Sequence, residues 1–160
     1  DKLPTITMWL MGSLANVSYR DVLLCAAIEI PCLAVAMILR WKMNLLSLDQ
    51  EEARSLGINV KKLRLAVILI ATIMTAVTVS VCGIIGWIGL VIPHIARLLI
   101  GNDHRTLIPA SVLMGSIYLL LIDTAARAAT AGEVPLSILT AMVGAPFFAV
   151  ILRKTSGGRE

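Results

Sequence analysis

Charge is what this sequence has least of. Only 15 % of its 160 residues are Asp, Glu, Lys or Arg, against 58 % hydrophobic, and the mean hydropathy is 0.90. Soluble domains carry about 25 % charged residues. A soluble bundle would need polar helix faces, and five long apolar runs leave no room for them. Those runs lie at 22–40, 63–82, 84–100, 107–126 and 134–152. Each is near the roughly 20 residues a helix needs to cross about 30 Å of hydrocarbon. The fold class is therefore all-α: a polytopic membrane protein of about five transmembrane helices, with short cytoplasmic and interfacial helices between them.

Metal-ligating and nucleophilic patterns are missing too. Cys25, Cys32 and Cys82 all sit inside apolar runs without paired spacing, which argues for packing rather than a disulfide framework or a metal site. His94 has no second His or carboxylate three or four residues away, and "HIAR" is not a zinc pattern. An intramembrane enzyme would have to bring His94, His104 and Asp123 together, and there is no serine elbow or zinc helix to support one. No catalytic residue, metal ligand or cofactor is expected on this chain. It also lacks the basic face that a nucleic-acid partner would require. At the amino end no basic stretch leads into an apolar signal core, and the abrupt start on "DKLPTITMWLMGSL" reads as a cut end.

The basic residues that are present carry the topology. Arg40, Lys42, Arg54, Lys61, Lys62 and Arg64 lie between the first and second runs. Arg97 and Arg105 lie between the third and fourth, and Arg153, Lys154 and Arg159 follow the last. Those alternate connections hold 11 of the 14 Lys and Arg residues. The positive-inside rule then puts the 41–62 loop, the 101–106 loop and the C-terminus in the cytoplasm, with Asp123 toward the opposite side from His104.

The loop "WKMNLLSLDQEEARSLGINVKK" is the most informative polar piece. Ser47 followed by Gln50 fits a capping box, and Asp49, Glu51 and Glu52 put negative charge on a first turn, where the helix dipole favours it. Gly57 suits a left-handed helix end, and Asn59 is placed to cap the next helix. Leu45, Leu48, Ala53 and Leu56 form an apolar stripe beside a charged face. That pattern fits a surface helix on its own domain. It equally fits a docking helix that inserts in a partner's groove.

The run "GWIGLVIPHIARLLIGNDHR" carries Pro93, His94 and Arg97 in its middle. His94 and Arg97 are three apart, on one helical face. Arg97 is able to snorkel to the interface, and Pro93 frees a carbonyl and invites a kink. His94 is expected in a polar contact with the loop or with Asp103, His104 and Arg105, which makes this stretch the foot of a helix. On the other side Asp123 and Arg127 are spaced to pair along one helix. Glu29, beside Pro31 inside the first run, either faces a channel or sits neutral in the interior. Gly83, Gly86, Gly89, Gly144 and Ala145 suit close helix approach, and "MWLMGSLANVSY" reads as an interfacial helix with Trp9 and Tyr19 at headgroup level.

Four blocks, "EEARSLGINVKKLR", "GLVIPHIARLLIGNDHRTLIPAS", "LLIDTAARAATAGEVPLSILTAM" and "VGAPFF", occur in order. Through about residues 8 to 154 the chain resembles the second half of the permeases of the metal-chelate (FecCD-like) family of bacterial ABC importers. The resemblance implies a C-terminal half of a roughly ten-span permease in the bacterial inner membrane. It implies a second permease copy, a cytoplasmic ATPase dimer that holds the ATP and Mg, and a periplasmic substrate-binding protein. It also implies that Ser47, Leu48, Glu51, Glu52, Ala53, Arg54, Leu56 and Gly57 couple to the ATPase, and that Arg127 and Glu133 face the binding protein. A small channel or membrane assembly subunit with no ATPase partner is the alternative, and it leaves the capped cytoplasmic helix unexplained.

Overall fold

The computed structural model describes residues 3–14, 17–47, 59–129 and 135–156, and every described regular element is helical. In chain order these are α1 (Leu3–Leu10), α2 (Tyr19–Met43), a 3₁₀ turn (Asn44–Ser47), α3 (Val60–Cys82), α4 (Ile88–Ile100), α5 (His104–Ala129) and α6 (Leu136–Ser156). α5 is central, packing against α2, α4 and α6, while α2 also lies along α3 and α4 along α6. The segment 48–58, with Leu48, Glu51, Glu52, Ala53, Arg54, Leu56 and Gly57, lies outside the described residues, as does Glu133.

Local chemistry explains the helix ends. Ser18 caps α2 reciprocally: its Oγ accepts from the Asp21 N–H at 3.3 Å, and the Asp21 carboxylate accepts from the Ser18 N–H at 3.0 Å. Asn59 caps α3, accepting from the Lys62 N–H at 3.1 Å. Inside α3 the hydroxyls of Thr72, Thr75 and Thr78 donate to carbonyls one turn back, at 2.8 to 2.9 Å. That back-bonding lets polar side chains ride in an apolar helix without an unmet donor.

Three helical stretches, Tyr19–Leu46, Val60–Cys82 and His104–Ala128, are long and apolar enough to cross a membrane. Of the five apolar runs, 84–100 gives the shortest helix. There α4 has 13 residues, roughly 20 Å at about 1.5 Å per residue, against about 30 Å of hydrocarbon. Gly83 and Trp87 cause the shortening: both have positive φ, at 72° and 68°, which holds 83–87 out of helix. Pro93 and Pro146 lie within continuous helices. The core is small, centred on Val91, Ile92 and Ala96 of α4 with Leu107, Ala126, Leu136 and Thr140. Outside it, large apolar side chains such as Leu98, Leu99, Leu113 and Leu120 are exposed along the helices, as expected of a bundle solvated by lipid.

The amino-terminal segment differs from a simple interfacial helix. α1 stops at Leu10, and the chain turns at Gly12 (φ 70°) into a three-way junction. The Ser13 N–H donates to the Cys82 carbonyl at the end of α3 (3.0 Å). The Gly12 and Met11 carbonyls accept from Leu136 and Ser137 at the start of α6 (3.0 and 3.3 Å). Each bond satisfies a backbone group that a helix end leaves open. Approach is close enough to require glycine: a Cβ on Gly83 would collide with the Trp9 carbonyl, and one on Gly12 would sit 2.6 Å from the Ile84 carbonyl oxygen. Gly144 serves differently, giving room to the Trp87 side chain, whose Cβ would be 2.7 Å from an added methyl. Gly86 and Gly89 have open space around them, so close packing does not account for them.

Replacing Gly83 by Ala should lower the melting temperature of the detergent-solubilised protein, because left-handed backbone costs an L-residue roughly 1–2 kcal/mol before the collision is counted. Gly89→Ala, in helix and in open space, should be neutral or stabilising by up to about 1 kcal/mol. Equal melting temperatures for the two variants would contradict the junction as described.

Candidate functional site

The end of the bundle where α2 stops and α5 begins gathers the polar chemistry. Gly101 (φ 87°) ends α4, its N–H donating to the Arg97 carbonyl at 2.9 Å, and Asp103 opens α5. The Asp103 carboxylate accepts from the Arg105 N–H at 2.9 Å, and its carbonyl accepts from the Leu107 N–H at 2.9 Å. Asp103 is thus an N-cap.

Asn44, the first residue after α2, meets this cap with both ends of its amide. Its Nδ2 donates to Asp103 Oδ1 at 2.7 Å, and its Oδ1 accepts from the His104 N–H at 2.8 Å. The His104 Nδ1 lies 2.7 Å from the same Oδ1, which requires a hydrogen on Nδ1. One turn earlier Arg40 donates to the Arg105 carbonyl at 3.0 Å, and the Arg105 guanidinium lies 5.9 Å from the centre of the Trp41 ring. Arg40, Trp41 and Asn44 therefore grip residues 103 to 105.

Of the residues assigned to the helix foot, the structure brings Asp103, His104 and Arg105 together, and Asn44 and Arg40 join them unforeseen. For His94 the described residues show a different neighbour, while the loop it was also expected to meet lies outside them. The His94 ring turns edge-on to Phe147 of α6, 6.1 Å between centroids, and lines a cleft of about 250 Å3 with Pro93, Arg97 and Phe148. The physical reason is the short α4, which packs beside α6 and sets the imidazole against that neighbour. Arg97 is exposed; it borders this cleft and a second, mostly apolar one of about 380 Å3 between α2, α3 and α5, which His104 also lines. Ser47 closes the 3₁₀ turn that follows Asn44.

At the far end of α5, Arg127 Nε donates to Asp123 Oδ2 at 2.8 Å, with the arginine side chain 62 % exposed. Glu29 faces α3, where its carboxylate lies 2.8 Å from the Thr78 hydroxyl, whose single hydrogen is shared between it and the Met74 carbonyl. Among the described residues no three His, Cys, Asp or Glu side chains converge to hold a metal.

Hydrogen bonds from Arg105 N–H and the Asn44 amide hold the Asp103 carboxyl below the usual carboxylate range. A depressed folded-state value stabilises the fold at pH above the unfolded value, and that contribution is lost as pH falls through the folded value. Acidification should therefore weaken the α2–α5 tie only below the ordinary range of aspartate. Asp103→Asn keeps an acceptor for Arg105 and should flatten the acid limb of melting temperature against pH. An unchanged acid limb would show that Asp103 has no part in it.

Residues 1–154 match the FecCD transport family. The chain is 42 % identical over 158 residues to the molybdate import system permease protein MolB of Haemophilus influenzae, covering 99 % of this chain and 47 % of that one. It is 44 % identical over 157 residues to a probable iron chelatin transport system permease protein of Helicobacter pylori, covering 98 % and 48 %. Against the hemin transport system permease protein HmuU of Yersinia pestis it is 39 % identical over 155 residues, covering 96 % and 46 %. The chain thus spans about half the length of the curated relatives it matches. A solved structure of an inward-facing metal-chelate type ABC transporter superposes with a TM-score of 0.92 at 43 % identity, covering 96 % of this chain and 50 % of that one. The chain belongs to the FecCD transport family.

Proposed function

We propose that this chain is a membrane-spanning permease component of an ATP-driven importer that moves a metal chelate or a related anionic cargo from periplasm to cytoplasm. The observation that carries this is the family match over residues 1–154, on a fold with a TM-score of 0.92 to a metal-chelate transporter. The relatives are named for molybdate, iron chelatin and haemin, at 42, 44 and 39 % identity. Such even resemblance to permeases of chemically different cargoes supports placing cargo selection elsewhere: in the binding protein and in the remainder of the permease.

The protein is multi-pass in the bacterial inner membrane. The end that gathers Arg40, Lys42, Lys61, Lys62, Arg64 and Arg105 faces the cytoplasm by the positive-inside rule. The junction of Gly12, Gly83 and Leu136 then faces the periplasm, and the C-terminus is cytoplasmic. The 48–58 segment, between α2 and α3, docks with a cytoplasmic ATPase dimer that binds ATP and Mg. Glu51, Glu52 and Arg54 set its registry by charge, and Leu48 and Leu56 its grip. A second permease copy completes the pathway. Arg127, exposed near the outer end of α5, receives a carboxylate of the periplasmic binding protein, and Glu133, in the connection that follows, takes part in that docking. The chain performs no catalysis of its own.

Reconstitution of the permease with its ATPase and binding protein in proteoliposomes tests this. ATP-dependent uptake should be present in the wild type. Glu52→Ala and Gly57→Val should reduce both uptake and binding-protein-stimulated hydrolysis while the complex still assembles. Normal transport by both variants would reduce the 48–58 segment to a surface element.

A further inference from the structure

Asn44 occupies a mechanical position that the motif resemblance did not point to. It starts the 3₁₀ turn Asn44–Ser47, the last described backbone before the 48–58 segment. Its amide is fully committed to another helix, with Nδ2 on the Asp103 carboxylate and Oδ1 facing the N–H and Nδ1 of His104, all within 2.8 Å. The asparagine amide donates and accepts through two separate atoms, which lets it hold the Asp103 carboxylate and His104 together. Asp103 in turn caps α5, the helix that touches α2, α4 and α6. A displacement entering at residue 48 runs through the 3₁₀ turn, which also touches α2 and α3, and reaches α5 through the Asn44 side chain.

We propose that Asn44 is a positioning residue: its amide clamp on Asp103 and His104 passes movement of the 48–58 segment to α5. The proposal rests on that segment being the ATPase-docking element. The clamp is bidentate and short, so it transmits both push and rotation, while Arg40 on the Arg105 carbonyl and Trp41 under the Arg105 guanidinium keep the two helix ends in register. Apolar contact between α2 and α5 would tolerate sliding; a bidentate amide does not.

The test exchanges the two partners in the assembled transporter in proteoliposomes. It reads uptake per ATP hydrolysed, basal hydrolysis and the melting temperature of the complex. Asn44→Asp sets two carboxylates against each other and should lower uptake per ATP by about tenfold, with basal hydrolysis retained. Asp103→Asn keeps an acceptor for both the Asn44 amide and the Arg105 N–H and should remain coupled. The double variant Asn44→Asp/Asp103→Asn lets the amide introduced at position 103 donate to the carboxylate introduced at position 44, at the expense of the Arg105 N–H that shares Asp103 Oδ1 in the wild type, and should recover part of the lost coupling. Coupling equal to wild type in Asn44→Asp overturns the proposal, as does a folded double variant that fails to recover. A parallel fall of melting temperature, basal hydrolysis and uptake in Asn44→Asp overturns it in favour of a structural role. If Asn44→Asp does not assemble, the double variant decides by the same criterion. Absence of ATP-dependent uptake in the wild type is a separate result: it removes the importer reading, and the clamp's role with it.

Discussion

Every polar group carried into the apolar bundle has to find its partner inside the protein, and the fold is arranged around that requirement. The threonines of α3 return their hydroxyls to their own helix, and Glu29 shares the Thr78 hydroxyl across the α2–α3 contact. Open helix ends are met in two chemically different ways. At one end of the bundle backbone meets backbone, through the Met11–Ser13 turn that joins the end of α3 to the start of α6. At the other end side chains meet caps, through Asn44, Asp103 and His104.

The difference has mechanical consequences. The glycine junction works only at very close approach, with Gly12 and Gly83 both in left-handed backbone, so it has few alternative arrangements. The Asn44 clamp ties the end of α2 to the start of α5 through exposed or half-buried side chains, so the two helix ends shift together. In the proposed importer the glycine junction is then the fixed end, and the clamp is the end that moves, which the proposed topology puts in the cytoplasm.

Much of this was legible in the sequence because it depends on local rules. The apolar runs became helices, Asn59 capped α3, and Asp123 paired with Arg127 at the spacing that one helix face dictates. What was not legible depends on non-local contact. The third run is apolar throughout, and nothing in its composition says that Gly83 and Trp87 would hold its first residues out of helix. The edge-on contact of His94 with Phe147 of α6 joins two helices far apart in sequence, and no spacing along α4 points to it. Asn44 carries no local signal of its role, since its partner lies 59 residues further on. Of five small residues read as packing sites, only Gly83 and Gly144 have a neighbour that a methyl would strike, because the others face open space or are exposed.

The central claim is that the segment between α2 and α3 faces a cytoplasmic ATPase. Site-directed cross-linking tests it most directly, with Cys25, Cys32 and Cys82 replaced and one cysteine introduced at position 52 in the assembled complex. The account predicts a cross-link to the ATPase subunit whose yield changes when nucleotide is added. A cross-link to the periplasmic binding protein, or none to the ATPase in a complex that hydrolyses ATP, would contradict it.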